Sequence, residues 1–228
     1  RANSMKQIIV LVPMKGHSER VPNKNMKHFN GRPLYHSIIN ALQNCGRVKT
    51  IVINTDSKII AEDAEKHFSK VKINWRPEYL CGDFVSMNEV IGYDVNSLDG
   101  EDHFMQTHST NPLLTTETID RAIDKYFEVI ENGCDSVFGV TKFQSRFYWA
   151  DTTAINHNPK ELIRTQDLPP IYEENSNFYI FSRESFKQAD RKRIGLRPYM
   201  FEVNKLEAID IDNPEDFILA ESIAKLIN

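Results

Sequence analysis

Two short runs of β-branched residues, 8–12 and 50–54, constrain the fold of this chain most. Residues 8–12 and 51–53 are continuously apolar, without the alternation of a strand that has one face in water. They therefore predict strands buried on both faces, as in a parallel sheet. Helix-like segments follow them at 33–42 and 57–67. This alternation of strands and helices predicts an α/β fold with a mostly parallel sheet.

The rest of the chain continues the same alternation. Further strands are predicted at 71–75, 103–106, 136–140, 178–181 and 208–212. Further helices are predicted at 87–93, from 116 to a stop at Gly133, and from Pro214, with Asn213 as the N-cap. The proline-containing stretch 141–174 is predicted to be an irregular insertion that leaves the sheet.

Composition limits the class of protein. The 228 residues include 28 Lys and Arg and 32 Asp and Glu, giving a net charge of −4. This balance predicts one soluble domain over 5–228 and does not favour nucleic-acid binding. No apolar run approaches the ~20 residues of a membrane span, and residues 1–4 are interpreted as a vector remnant. Three separated cysteines predict a reducing, cytoplasmic setting.

The loop after the first strand is strongly basic. Residues 14–32 hold five Lys or Arg and one acid, and ligands of α/β sheets bind where such loops leave the strands. These cations, with the amides of Gly16 and Ser18, predict a cradle for a polyphosphate. The spacing is neither a Walker A nor a GxGxxG motif. The alternative is a solvated basic loop.

Two carboxylates end the segment 208–212. Strand alternation would direct Asp210 and Asp212 to the same face, where they repel each other. A Mg²⁺ ion would relieve that repulsion with hard oxygen ligands. The alternative is a strand end at which Asp212 helps to cap the next helix. Together, the loop and the pair predict Mg²⁺-dependent nucleotidyl or phosphoryl transfer.

Seven motifs in order make the chain similar to a known family. The loop 12–25 (VPMKGHSERVPNKN) resembles IPARGGSKRIPRKN of the acylneuraminate cytidylyltransferases, although Lys15 replaces an arginine, and His17 and Glu19 replace common residues. The other segments are NTDS at 54–57, RPE at 76–78 with Asp83 and Ser86, TNPL at 110–113, RTQDLP at 164–169, NSNFYI at 175–180 and DID at 210–212.

The resemblance implies a Rossmann-like nucleotidyltransferase fold and a homodimer, with 141–174 as the dimerisation insertion. It implies a reaction in which the anomeric hydroxyl of a 2-keto-3-deoxy sugar acid attacks the α-phosphorus of CTP and pyrophosphate leaves. The expected sugar acid is a sialic-acid-like nonulosonic acid. The alternatives are 3-deoxy-manno-octulosonate, a hexose 1-phosphate with UTP or dTTP, and a catalytically inactive nucleotide-binding homologue.

The resemblance also implies roles for individual residues. Those expected to bind the nucleotide are Lys15, Gly16, Ser18, Arg20, Lys24, Asn25, Arg76, Asp83 and Ser86. Those expected near the sugar are Gln106, His108, Gln166 and Asn175. Asp210 and Asp212 are the expected Mg²⁺ ligands. The expected catalytic residues are Lys24, Asp212 and Lys15. The scattered histidines, His36 and His67 among them, are interpreted as ordinary surface or core residues.

Overall fold

The computed structural model of the protein describes residues 6–17, 20–21 and 23–227. The interpreted vector remnant, 1–4, and the predicted nucleotide-binding residue Ser18 lie outside the described residues. The strands are β1 (Ile8–Pro13), β2 (His28–Phe29), β3 (Arg32–Pro33), β4 (Val48–Thr55), β5 (Val71–Trp75), β6 (His103–Thr107), β7 (Ser136–Phe143), β8 (Ile171–Ser182) and β9 (Pro198–Glu202). The α-helices are α1 (Tyr35–Gln43), α2 (Lys58–His67), α3 (Met87–Ser97), α4 (Thr116–Val129), α5 (Arg183–Gln188) and α6 (Pro214–Ile227).

Seven of the strands form one sheet in the order β5-β4-β1-β6-β8-β7-β9. Strand β8 is antiparallel to both of its neighbours, whereas the other neighbouring pairs are parallel. The predicted α/β class with a mostly parallel sheet is confirmed. Strands β2 and β3 form a separate two-stranded hairpin, which the sequence patterns did not predict.

Strand β1 is buried along its whole length and divides the core into two layers. Ile8, Val10 and Val12 belong to a large apolar cluster with α1, α2 and α4. Ile9 and Leu11 belong to a second cluster with α3 and α5. A third, smaller cluster lies beneath α6 and includes Ile211. Helices thus cover both faces of the sheet, as the continuous β-branched run requires.

Local signals at helix ends are confirmed. The Oγ atom of Ser57 accepts a hydrogen bond of 3.3 Å from the amide of Ile60 at the start of α2. Asn213 caps α6 by accepting a bond of 3.0 Å from the amide of Asp216. Gly133, with a φ of 99°, ends the turn after α4 in the left-handed region.

Two predicted elements are wrong. Segment 208–212 is not a strand, because β9 occupies the sheet edge beside β7. The segment is attached instead by a single backbone hydrogen bond from the amide of Ile211 to the carbonyl of Thr110. Segment 141–174 does not leave the sheet along its whole length, because 141–143 and 171–174 pair as the ends of β7 and β8. A register shift between Phe138 and Val140 accommodates the polar start of β8.

None of the helices among the described residues is long and apolar enough to cross a membrane.

The two-layer core makes a testable prediction for stability. Ile123 on α4 is fully buried, whereas Ile218 on α6 is 67% exposed. Ile123→Ala should lower the free energy of unfolding by about 2–5 kcal/mol, because it removes buried methyl groups and leaves a cavity. Ile218→Ala should change it by less than about 0.5 kcal/mol. Urea denaturation followed by circular dichroism measures both, and equal losses would contradict this description of the core.

Candidate functional site

A cavity of about 490 Å³ opens where β1 and β6 end. After β1 the chain continues to β4 on one side of it, while β6 lies on its other side. The loops that follow β1 and β6 therefore diverge, and a crevice forms between them. The lining residues are Pro13, Met14, Lys15, His17, Arg20, Lys24, Asn25, Asp83, Met87, His108, Ser109, Thr110 and Asp212. The structure thus brings together seven of the predicted site residues: Lys15, Arg20, Lys24, Asn25, Asp83, His108 and Asp212.

Hydrogen bonds anchor the basic loop to the rest of the cavity wall. Lys24 Nζ donates to the carbonyl of Ile211 over 3.0 Å. Asn25 Nδ2 donates to the carbonyl of Lys15 over 3.2 Å, and its Oδ1 accepts a bond of 2.5 Å from Ser109 Oγ. These bonds hold the loop that carries Lys15 and Lys24 against Ile211 and Ser109.

The two aspartates lie opposite these cations. Burial raises the pKa of Asp210 to about 6, and the negative charge of Asp212 adds to the rise, whereas a hydrogen bond from Thr110 and the charge of Lys24 oppose it. Asp212 is exposed, and Ile211 between them is fully buried. Asp216 Oδ2 accepts hydrogen bonds from the amides of Asp212 and Asn213, which fixes the turn.

The donor set of this pair is suited to a hard divalent cation. Two carboxylates whose charges disfavour each other sit beside the hydroxyl of Thr110, and all of these groups offer oxygen. Asp212 lines the cavity, whereas Asp210, two residues earlier, does not; the two side chains could together hold Mg²⁺.

An ion pair crosses the cavity. Lys15 Nζ lies 3.7 Å from Asp83 Oδ1, and both side chains are largely exposed. Such a pair contributes little to stability, and an anionic ligand can displace it. Ser86, expected to bind nucleotide, caps α3 instead of lining the cavity: its Oγ accepts from the amide of Glu89 over 3.2 Å, while its neighbour Met87 reaches the wall.

Gly16 has a steric role at the start of the loop. Its amide donates to Asp56 Oδ1 over 2.8 Å, so this amide is engaged by protein rather than free for a phosphate. A Cβ at this position would lie 3.1 Å from Ser57 Cβ. A side chain at this position would therefore require Ser57 or the loop to shift by a few tenths of an ångström.

Arg76 lies in a buried network beneath the loops. Its Nε donates to Asn54 Oδ1 over 2.7 Å. Asn54 and Asn74 donate through their Nδ2 atoms to Asp94 Oδ1, over 2.8 and 2.7 Å. Burial raises the pKa of Asp94 to about 6, although both amides and the charge of Arg76 favour its ionised form. Arg76 therefore does not line the cavity in this structure.

A chain of polar contacts supports the wall around His108. Gln106 Nε2 lies 3.1 Å from His108 Nε2, while Gln106 Oε1 accepts a bond of 2.5 Å from Arg193. Arg193 also donates to Asn88 Oδ1 over 3.0 Å and lies over the ring of Tyr179. Desolvation, then the charge of Arg193, lower the pKa of His108 to about 4, so His108 is neutral near pH 7.

Two residues expected near the sugar lie elsewhere. Asn175 is a buried residue of β8, and its Nδ2 donates to Thr141 Oγ1 on β7 over 3.1 Å. Gln166 is exposed on the irregular part of the insertion, and its carbonyl accepts from Gln144 Nε2 over 3.0 Å. Neither lines the cavity within this single chain.

Three contributors were missed at the level of sequence. Ser109 and Thr110 line the cavity, and their position directly after β6 was a usable signal, because loops at the carboxyl ends of strands form such sites. Arg193 lies in a loop before β9 and meets Gln106 across 87 residues of sequence. No local pattern announces that contact.

The network beneath the cavity predicts a specific pH dependence of stability. Because the folded-state pKa of Asp94 is raised from 3.8 to about 6, the native state binds the proton more tightly than the unfolded chain. Its contribution to stability is therefore present in full below pH 3.8 and is lost as the pH rises to about 6. The loss should reach about 3 kcal/mol.

Asp94→Asn, which has no proton to lose, should abolish this dependence. The free energy of unfolding of the wild type, minus that of the variant, should fall between pH 4 and pH 7. Urea denaturation at each pH measures the difference. Parallel pH profiles for the two proteins would contradict the assignment.

Comparisons with known proteins identify the family of the chain. The family model described as "Cytidylyltransferase" matches residues 9–226. The chain is 27% identical to a pseudaminic acid cytidylyltransferase of Campylobacter jejuni, over 96% of each chain. It is 28% identical to a CMP-N,N'-diacetyllegionaminic acid synthase of Legionella pneumophila, over 96% of this chain and 97% of that one. It is 25% identical to an N-acylneuraminate cytidylyltransferase of Streptococcus agalactiae, over 92% of this chain but 51% of that one.

Solved structures support the fold. A CMP:2-keto-3-deoxy-manno-octonic acid synthetase complexed with CTP superposes with a TM-score of 0.69 at 10% identity, covering 98% of this chain and 100% of that one. A 4-diphosphocytidyl-2C-methyl-D-erythritol synthase from Anaerococcus prevotii gives 0.68 at 12% identity, covering 99% of each. With the family model matched over almost the whole length, this chain belongs to the cytidylyltransferase family.

Proposed function

We propose that this protein transfers CMP from CTP to the anomeric hydroxyl of a nonulosonic acid of the pseudaminic, legionaminic or sialic type and releases pyrophosphate. The observation that carries the proposal is the convergence of Lys15, Arg20 and Lys24 with Asp212 on one cavity. The relatives named for these sugar acids supply the substrate class.

The cations of the basic loop account for binding of the triphosphate. CTP carries its charge on the phosphates, and Lys15, Arg20 and Lys24 offer three positive groups along one wall. Binding would draw Lys15 away from Asp83, an exchange that costs little for an exposed pair. Lys15 and Lys24 would then stabilise the charge that develops as pyrophosphate leaves.

Asp210 and Asp212 are the groups that would hold Mg²⁺. When bound, this ion would neutralise phosphate charge in the transition state. Asp212 is the exposed member of the pair and would accept a hydrogen bond from the attacking sugar hydroxyl, orienting that oxygen toward the α-phosphorus. The bond between that oxygen and phosphorus would form as the bond to pyrophosphate breaks, and the hydroxyl proton would pass to Asp212 or to water.

The insertion supports a homodimer. Its exposed apolar side chains include Tyr148, Trp149, Leu162 and Ile163, and Leu162 is 93% exposed. Burial of such a surface against a second copy would be favourable. In that arrangement Gln166, which lies on the same segment, could reach the sugar pocket of the partner. We assign the enzyme to the cytoplasm, where its three cysteines stay reduced.

A substrate panel tests the proposal directly. Pyrophosphate release is measured with CTP and Mg²⁺ on pseudaminate, legionaminate, N-acetylneuraminate and 3-deoxy-manno-octulosonate, with UTP in a parallel series. Turnover of one of the first three acids with CTP is expected. Turnover of the octulosonate alone, or with UTP alone, would replace the proposal. Stabilisation by CTP without turnover of any acid would indicate an inactive homologue.

Asp210→Asn tests the role of the carboxylate pair. Pyrophosphate release should fall at least about tenfold, because the variant removes one charge from the proposed ion site. Asp99→Asn, in the exposed turn after α3, is the matched control and should keep full activity. Thermal stabilisation by CTP without metal should survive in both variants. Undiminished turnover in Asp210→Asn would remove this residue from the mechanism.

Arg193→Met tests support of the sugar side. The variant loses the hydrogen bonds to Gln106 and Asn88, so the wall around His108 should loosen. The KM for the sugar acid should rise about tenfold, the equivalent of one charge-assisted hydrogen bond, while the KM for CTP stays the same. Arg197→Met, whose Nε bonds the carbonyl of Gly133, is the control. Equal rises in both KM values would indicate a merely structural role.

A further inference from the structure

A second group of ionisable side chains lies between α1 and α2, outside the cavity described above. His36 comes from α1, and Asp63 and His67 come from α2. One ring nitrogen of each histidine and one carboxylate oxygen of Asp63 all lie within 4.8 Å of one another. None of these residues has a part in the proposed transfer reaction.

The carboxylate of Asp63 lies between the two imidazoles. Its Oδ2 is 2.6 Å from His36 Nε2, and its Oδ1 is 3.3 Å from His67 Nδ1. The centroids of the two rings are 5.1 Å apart. At these distances each ring nitrogen donates its N–H to the carboxylate, and His67 Nδ1 also lies 2.8 Å from the backbone carbonyl oxygen of Asp63. A metal ion would bind these nitrogens after the proton has moved to the other ring nitrogen or to solvent.

The helices fix two of the three groups firmly. His36 is only 5% exposed, and its ring meets that of Phe68 edge-on, with centroids 5.0 Å apart. The hydroxyl of Tyr35 donates to Asp63 Oδ2, which orients the carboxylate from behind. Hydrogen bonds of this kind to ligating carboxylates are typical of metal sites. His67 is half exposed and is the ligand most open to solvent.

The same group borders an open pocket of about 550 Å³. His36, Asp63 and His67 line it together with Asn40 and Gln43. An ion in solution can therefore reach the three groups, and water can complete its coordination.

We propose that His36, Asp63 and His67 bind a divalent transition-metal ion of the zinc type. Two imidazoles and one carboxylate form a donor set suited to zinc, nickel or copper, with a position left for water. The oxygen-only pair of Asp210 and Asp212 is suited instead to Mg²⁺. An ion at the histidine group would join α1 to α2 and stabilise the packing of these two helices.

Zinc binding to the full chain, free of any histidine tag, tests the site. Isothermal titration with ZnCl₂ should give one ion per chain at this site, and excess Zn²⁺ should raise the Tm by at least about 5 °C. His67→Ala removes the exposed ligand and should weaken the affinity at least about tenfold. His28→Ala changes an exposed histidine of the hairpin and should leave the affinity unchanged.

Cobalt distinguishes this site from the cysteines. Cys45, Cys81 and Cys134 are free, and thiolates also bind zinc. Co²⁺ on the wild type should give visible d–d bands without a thiolate charge-transfer band, and His67→Ala should lose the d–d bands. Equal Zn²⁺ affinity in the wild type and His67→Ala, no Zn²⁺ binding at all, or a thiolate band would each overturn the proposal. None of these results depends on the transferase reaction.

Discussion

The parallel pairing of β1 on both of its edges is the constraint on which the rest of the structure depends. Hydrogen bonds to β4 and β6 occupy the two edges, and apolar clusters cover the two faces. The chain can leave this strand only at its carboxyl end, beside the ends of its neighbours. The basic loop is therefore delivered to the same place as Ser109 and Thr110, where an anion can meet many donors.

Two backbone contacts then join the cations to the carboxylates. The amide of Ile211 bonds the carbonyl of Thr110, and its own carbonyl accepts from Lys24. Ile211, which lies between Asp210 and Asp212 in the sequence, is thus bonded both to the loop after β6 and to the basic loop. Lys24 is held by this carbonyl instead of by either aspartate, so its charge and those of the aspartates can meet a ligand that carries phosphate and metal.

The sequence predicted what local rules control. The buried runs at 8–12 and 50–54, the caps at Ser57 and Asn213, and the position of the basic loop depend on neighbouring residues. The failures depend on distant ones. Segment 208–212 alternates like a strand, but β9 already holds the sheet edge. The polar start of β8 gives no strand signal, because its pairing with β7 decides its conformation. The contact of Arg193 with Gln106 is likewise tertiary.

The burial of Ile211 has a consequence for the last helix of the chain. Its side chain belongs to the small apolar cluster with Phe217, Ala220 and Ala224. Helix α6 therefore supports the turn 210–213, which carries both aspartates. The residues of this helix pack in the small cluster and not in the two larger clusters beside the sheet. If α6 loosened, the turn would lose the apolar contacts of Ile211, and the two carboxylates would move relative to Lys24. Local unfolding of α6 would thus displace the aspartates before the sheet itself unfolds.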